Sequence, residues 1–114
     1  MHASLLEVFN ERDRARRLAA IARTYASDIR WTDDEGVTTG HDALDAKAEA
    51  LQAKLDDLQF IADGPSHQTL GLGYQAFRLV DSAGGAVLGT GFDVAIIRDD
   101  RIAELYTVLT DEPR

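Results

Sequence analysis

Three long runs in the second half of the chain constrain its fold more than any other feature. Residues 67–80 end in RLV, residues 86–97 contain GFDVAII, and residues 101–110 read RIAELYTVLT. Each is rich in β-branched and aromatic residues, as strands are. The segment Asp81-Ser82-Ala83-Gly84-Gly85 joins the first two runs, and Arg98-Asp99-Asp100 joins the last two. Loops this short connect antiparallel neighbours, so the runs are expected to form a meander. Gly71, Gly73, Gly89 and Gly91 fall inside the runs. Glycine within a strand marks bulges and bends, which predicts a sheet curled around a cavity.

The first half follows a helical period. Leu5, Leu6 and Phe9 share one face of residues 3–10, which predicts a short helix ending at Asn10. Asp13 suits the N-cap of a second helix running to about Ala26. Leu18, Ile21, Ala22 and Tyr25 would form its buried stripe, with Arg12, Arg14, Arg16 and Arg17 on a solvated face. From His41 to Leu58, the residues Leu44, Ala48, Leu51, Leu55 and Leu58 make the narrow apolar seam of a third helix lying on a sheet. Residues 28–32 (DIRWT) alternate like a short strand, Asp33-Asp34-Glu35-Gly36 reads as a turn, and residues 37–39 pair back. Phe60 and Ile61 begin a further strand that stops at Asp63-Gly64-Pro65. Helices followed by a meander give an α+β class. The expected architecture is a cone-shaped curved antiparallel sheet with three helices on its concave side, its open end holding a small-molecule pocket.

Length and composition narrow the function classes. A chain of 114 residues fits one domain, residues 1–114, and has too little core for two. It contains no cysteine, which excludes disulfides, a thiolate nucleophile and cysteine metal sites. Its formal net charge of −8 argues against a nucleic-acid partner, because phosphates would be repelled. No apolar run is long enough to span a bilayer. Glu7, Glu11 and Asp13 interrupt the N-terminus before any signal-peptide stretch, so a cytoplasmic protein is expected.

Two carboxylates stand out as candidate chemistry. Asp33 shares strand parity with Trp31, and a carboxylate beside an indole in an apolar pocket would hold its proton more tightly. It either exchanges protons with a ligand or simply opens the turn that follows. Asp93 lies in mid-strand among Phe92, Val94, Ala95 and Ile96. A charge there is costly unless neutral, hydrogen-bonded or paired, so Asp93 has either a pocket role or a structural one. His67 could act as a base or ligand partner, or sit half-exposed at a strand start. Phe9, Tyr25, Trp31 and Phe77, with Leu105 and Thr107 of the last strand, are expected to line the pocket or fill the core. His2, His41 and His67 are too scattered for a metal motif, so neither metal nor cofactor is expected. Apolar residues on both faces of the long strands predict a homodimer through the outer sheet face.

Four stretches together carry a resemblance: VFNERD (8–13), YASDIRWTDDEG (25–36) followed by TGHDAL (39–44), FRLVDSAGG (77–85), and GFDVAIIRDDRI (91–102). In order and spacing they resemble the nuclear transport factor 2-like superfamily, and within it the small SnoaL-like proteins. The resemblance implies a cystatin-like α+β roll and a pocket. It leaves the chemistry open among isomerases, cyclases, dehydratases and non-catalytic binders. By similarity to ketosteroid isomerase, Asp33 matches the general base and Asp93 the protonated aspartate of the oxyanion hole. The position of that enzyme's oxyanion-hole tyrosine is occupied by Leu5. The implied function is acid–base isomerisation or cyclisation of a hydrophobic carbonyl compound, or else ligand binding without turnover.

Overall fold

The Asp13 side chain accepts a hydrogen bond from the Arg16 backbone N–H at 2.9 Å and so caps the helix that follows. That helix, α1 (Arg14–Thr24), leads directly into strand β1 (Tyr25–Asp33). It ends earlier than the expected Ala26, because Tyr25 takes an extended backbone with φ −112° and ψ 142°. Next come β2 (Gly36–Thr39), α2 (His41–Lys54), β3 (Leu58–Ala62), β4 (His67–Thr69), β5 (Leu72–Asp81), β6 (Val87–Arg98) and β7 (Arg101–Leu109). The computed structural model describes residues 8, 10–54, 58–81 and 85–110, with only the backbone of Lys54 and Leu58. Of the expected helix over residues 3–10, only Val8 and Asn10 are described, both with helical backbone. Two complete helices therefore stand among the described residues where three were expected. Neither is long and apolar enough to cross a membrane.

The curved sheet has seven strands in the order β2-β1-β7-β6-β5-β3, with β4 alongside β5. The expected meander of long strands is present as β5, β6 and β7. Two expectations need correcting. The sheet is mixed, because β1 and β7 pair in parallel. The run 67–80 is also not one strand: it breaks at Leu70-Gly71, and β4 folds back so that His67 opposes Tyr74. Gly71 has φ +75°, a left-handed conformation that makes this a turn rather than a bulge. One register shift does fall beside an expected glycine, where Leu88 next to Gly89 is skipped between Leu79 and Val80; others lie between Ile96 and Ile97 and between Tyr25 and Arg30. Gly91 is a position of close approach. A Cβ there would lie 2.5 Å from the Val108 carbonyl oxygen and 2.8 Å from the Phe77 ring.

Both helices pack on one face of the sheet. Ala20 and Ile21 of α1 and Leu44 and Ala48 of α2 join Val8, Ile29, Ala95, Ile102 and Leu105 in a single core. Leu18 and Ala22 do not complete the buried stripe of α1 as expected; Leu18 is half-buried and Ala22 exposed. Arg17 takes that place with 1% exposure, so it does not belong to a solvated arginine face. Its Nε donates to Asp45 Oδ1 at 2.6 Å, and its Nη1 donates to Glu11 O and Gln52 Oε1, each at 3.0 Å. Burial alone would push the Asp45 carboxyl up. The hydrogen bonds from Arg17 and Arg14 outweigh it and hold the group below its ordinary value.

Removing one partner of a buried pair strands the other charge. Arg17→Met is therefore expected to destabilise the fold by about 3–5 kcal/mol in chemical denaturation. The double variant Arg17→Met with Asp45→Leu should recover most of that loss. A double variant as unstable as the single one would show that the ion pair is not the cause.

Candidate functional site

Four polar side chains make a row across the helix-covered face of the sheet. They are Trp31 on β1, Thr107 on β7, Asp93 on β6 and Gln75 on β5. Asp93 opposes Thr107 in one register and Gln75 in the other, so all three project to the same side. Trp31 Nε1 donates to Thr107 Oγ1 at 2.9 Å. Thr107 Oγ1 in turn donates to Asp93 Oδ1 at 2.6 Å. An indole N–H can only donate, so the direction of the Trp31–Thr107 bond is fixed; the Thr107 hydroxyl keeps its own hydrogen for Asp93 when that carboxylate is ionised. Asp93 is 3% exposed. Burial raises its pKa to about 6, and the Thr107 hydrogen bond works the other way.

A cavity of about 440 Å³ opens between Trp31, Asp93 and Thr107 of this row and α2. Phe60, Phe77, Leu79, Leu88 and Leu109 give it largely apolar walls. At its rim Asp33 closes β1. Its Oδ1 accepts the Glu35 backbone N–H at 2.9 Å, the local bond of a turn, and its Oδ2 accepts a hydrogen bond from Lys47 of α2. Lys47 Nζ also lies 4.7 Å from the Trp31 ring centroid, within cation–π range, and 3.6 Å from Glu35 Oε1. Asp33 thus both opens the turn and lines the cavity.

Trp31, Asp33, Phe77, Asp93 and Thr107 are brought together at this cavity. Tyr25 and Leu105 are not among its walls; both are fully buried in the core beneath the helices. Burial, and then the charge of Asp93, push the Tyr25 phenol up. His67 is exposed on β4 and stacks on Tyr74 at 5.9 Å, away from the cavity, because the Gly71 turn folds β4 back along β5. Phe9 lies outside the described residues. Lys47 and Gln75 were not singled out from sequence. Lys47 carried a signal nonetheless: it stands three residues after Leu44 and four before Leu51, on the apolar seam of α2. Among the described residues no group of three His, Asp or Glu side chains converges as a metal site would.

No family model matches the chain. No curated protein matches it in sequence. Solved structures do. An inferred isomerase of the SnoaL-like family from Agrobacterium tumefaciens superposes with a TM-score of 0.90 at 23% identity, over 96% of this chain and 93% of that one. A nuclear transport factor 2-like protein of unknown function from Exiguobacterium gives 0.76 at 19% identity, covering 97% and 98%. An inferred SnoaL-like polyketide cyclase from Jannaschia gives 0.75 at 12% identity, covering 95% and 83%. Likeness at these identities establishes the fold, a cystatin-like α+β roll shared with SnoaL-like proteins.

The burial of Asp93 has a consequence for stability. The folded state holds the Asp93 proton more tightly than the unfolded chain, so its favourable contribution is complete below the unfolded pKa of 3.8 and is lost as pH rises through about 6. Asp93→Asn keeps an oxygen for Thr107 and removes the titration. Relative to this variant, the wild type should lose up to about 3 kcal/mol between pH 4 and pH 7. Urea denaturation of both proteins across that range checks it, and parallel pH profiles would contradict it.

Proposed function

We propose that this protein binds a small, largely apolar carbonyl compound and moves a proton on it through Asp93. The observation that carries this reading is a buried carboxyl, with its pKa raised to about 6, at an apolar cavity large enough for such a ligand. In this reading the curved sheet and its helices act as a cone whose open end admits the ligand. The Lys47 ammonium, steadied by Asp33 and the Trp31 ring, orients the ligand's carbonyl oxygen. Ionised Asp93 takes a proton from the carbon next to the carbonyl. The electron pair of the broken C–H bond moves onto oxygen as an enolate, which the Lys47 charge stabilises. Asp93 then returns the proton to a conjugated carbon, and the net change is an isomerisation. The solved structures of inferred SnoaL-like isomerases and cyclases support the reading by analogy of fold.

A second reading is favoured by the partners already present. Asp33 is occupied by Lys47 and Glu35, and Asp93 by Thr107, so the cavity could hold a ligand without turnover. The two readings separate in one experiment. A panel of polycyclic ketones is incubated in D₂O, and exchange or shift of the protons next to the carbonyl is followed by NMR. The catalytic reading expects turnover that rises with pH through about 6, where Asp93 ionises, and a drop of about 100-fold or more in Asp93→Asn. Thermal stabilisation by a ketone with no exchange would establish the binder instead, and full activity in Asp93→Asn would rule out the proposed base.

The outer sheet face carries Tyr74 and Phe92, with ring centroids 5.5 Å apart, beside exposed Tyr106 and Val108. A second copy of the chain is the partner this reading assigns to it. Sedimentation should show a dimer that Phe92→Glu converts to a monomer; a monomeric wild type would remove the assignment.

A further inference from the structure

Gln75 is fully buried, and its side chain is fixed in one orientation. Its Nε2 donates to Gly64 O at 3.1 Å and to Ala76 O at 2.7 Å. Both amide hydrogens are thereby used, and the flipped amide would set its oxygen against two carbonyl oxygens. Gln75 Oε1 is left buried and without a hydrogen-bond partner among the described residues. Such an atom is costly to bury, so its presence needs a reason. Directly opposite on β6, and on the same face, stands Asp93. Side chains opposed in this way lie about 5 Å apart at Cβ. Thr107 occupies Asp93 Oδ1, and the remaining oxygen, Oδ2, can carry a proton.

We infer that Gln75 is a positioning residue for Asp93: its Oε1 accepts a hydrogen bond from the protonated Oδ2 and so favours the acid form of the carboxyl. A hydrogen bond to the neutral form disfavours ionisation, and an amide oxygen facing a carboxylate repels it. The contact completes the polar row. The indole donates to the hydroxyl, the hydroxyl to the carboxyl, and the carboxyl to the amide, which is itself anchored on two backbone carbonyls. Gln75 thereby brings the ionisation of Asp93 closer to neutral pH, where one carboxyl can both take and return a proton. The raised pKa of Asp93 agrees with this, although burial is its largest cause.

Among the described residues, Asp33, Asp34 and Glu35 around the β1–β2 turn and Lys47 from α2 share the cavity with Asp93, and the buried Tyr25 phenol of β1 senses its charge. None of them is altered in the following test. The functional consequence rests on Asp93 as the proton-exchanging group, but the titration needs no ligand, so the two ideas can fail separately. The Asp93 carboxyl is followed by ¹³C NMR from about pH 4 to pH 8 in the wild type and in Gln75→Met, a near-isosteric change. The wild-type midpoint should lie at about 6. In Gln75→Met it should fall by about one unit, toward the ordinary carboxylate range. A merely structural glutamine predicts lower thermal stability with the midpoint unchanged, or raised because methionine is less polar; either result overturns the inference. If Gln75→Met does not fold, a crystal structure of Asp93→Asn decides. The nitrogen of the substituted side-chain amide should lie within about 3.2 Å of Gln75 Oε1, with its oxygen still on Thr107. An amide turned away from Gln75 overturns it equally.

Discussion

The contact on which the rest of the structure depends is the buried pair of Arg17 and Asp45. It joins α1 to α2 with a 2.6 Å hydrogen bond and draws in Gln52 and the backbone of Glu11. Beside it, Asn10 exchanges two 2.8 Å hydrogen bonds with the backbone of Phe60 on β3. Two helices could slide along an apolar sheet at little energetic cost, since hydrophobic contact is not directional. A guanidinium with several fixed acceptors cannot slide without losing them. Desolvating two charges is expensive, so the pair is better understood as fixing an arrangement than as adding stability. What it fixes is the placement of α2, and with it Lys47 against Asp33 and over the Trp31 ring.

The sheet supplies the opposite wall by the same logic of satisfied polar groups. Trp31 on β1 and Asp93 on β6 stand on either side of β7, and Thr107 bridges them from that middle strand. Gln75 extends the row onto β5. Each member comes from a different strand, so the row exists only when all four strands are in register. A slip of one residue would turn Asp93 to the outer face and leave Thr107 and Trp31 without these partners. The polar row is therefore also a register lock. The close approach at Gly91 acts alongside it, letting the Phe77 ring lie against β6 two residues from Asp93.

The sequence was most legible where period and turn chemistry act locally. The meander, the Asp13 cap and the Leu44–Ala48 part of the expected seam follow from spacing within a few residues; Leu58, placed on that seam from the same period, begins β3 instead. It was least legible where partners come from far away. Arg17 has the pattern of an exposed helix charge until Asp45, 28 residues on, is brought beside it. Nothing near Tyr25 in sequence announces that it begins a strand and pairs with Ile102 in parallel. Of the site, Trp31, Asp33, Phe77, Asp93 and Thr107 could be found from parity and from the oddity of a mid-strand charge. Lys47 offered only its place on the apolar seam, and Gln75 offered nothing, because glutamine in a strand is ordinary until its burial is known.

The structure also separates two carboxylates that the sequence presented as a pair. Asp33 sits at the rim, bonded to Lys47 and to the Glu35 backbone N–H. Asp93 sits beneath the cavity with a single hydroxyl donor and almost no solvent, which favours its neutral form. The two acids differ in burial and in partners, and different surroundings assign carboxyls different work. Asp33, bonded to Lys47, can hold that cation in place, and Asp93, its pKa raised to about 6 by burial, can give and take a proton. In the proposed reading, ligand chemistry at this cavity centres on Asp93, with Asp33 acting through Lys47, a division of roles that neither aspartate's position in the sequence could have indicated.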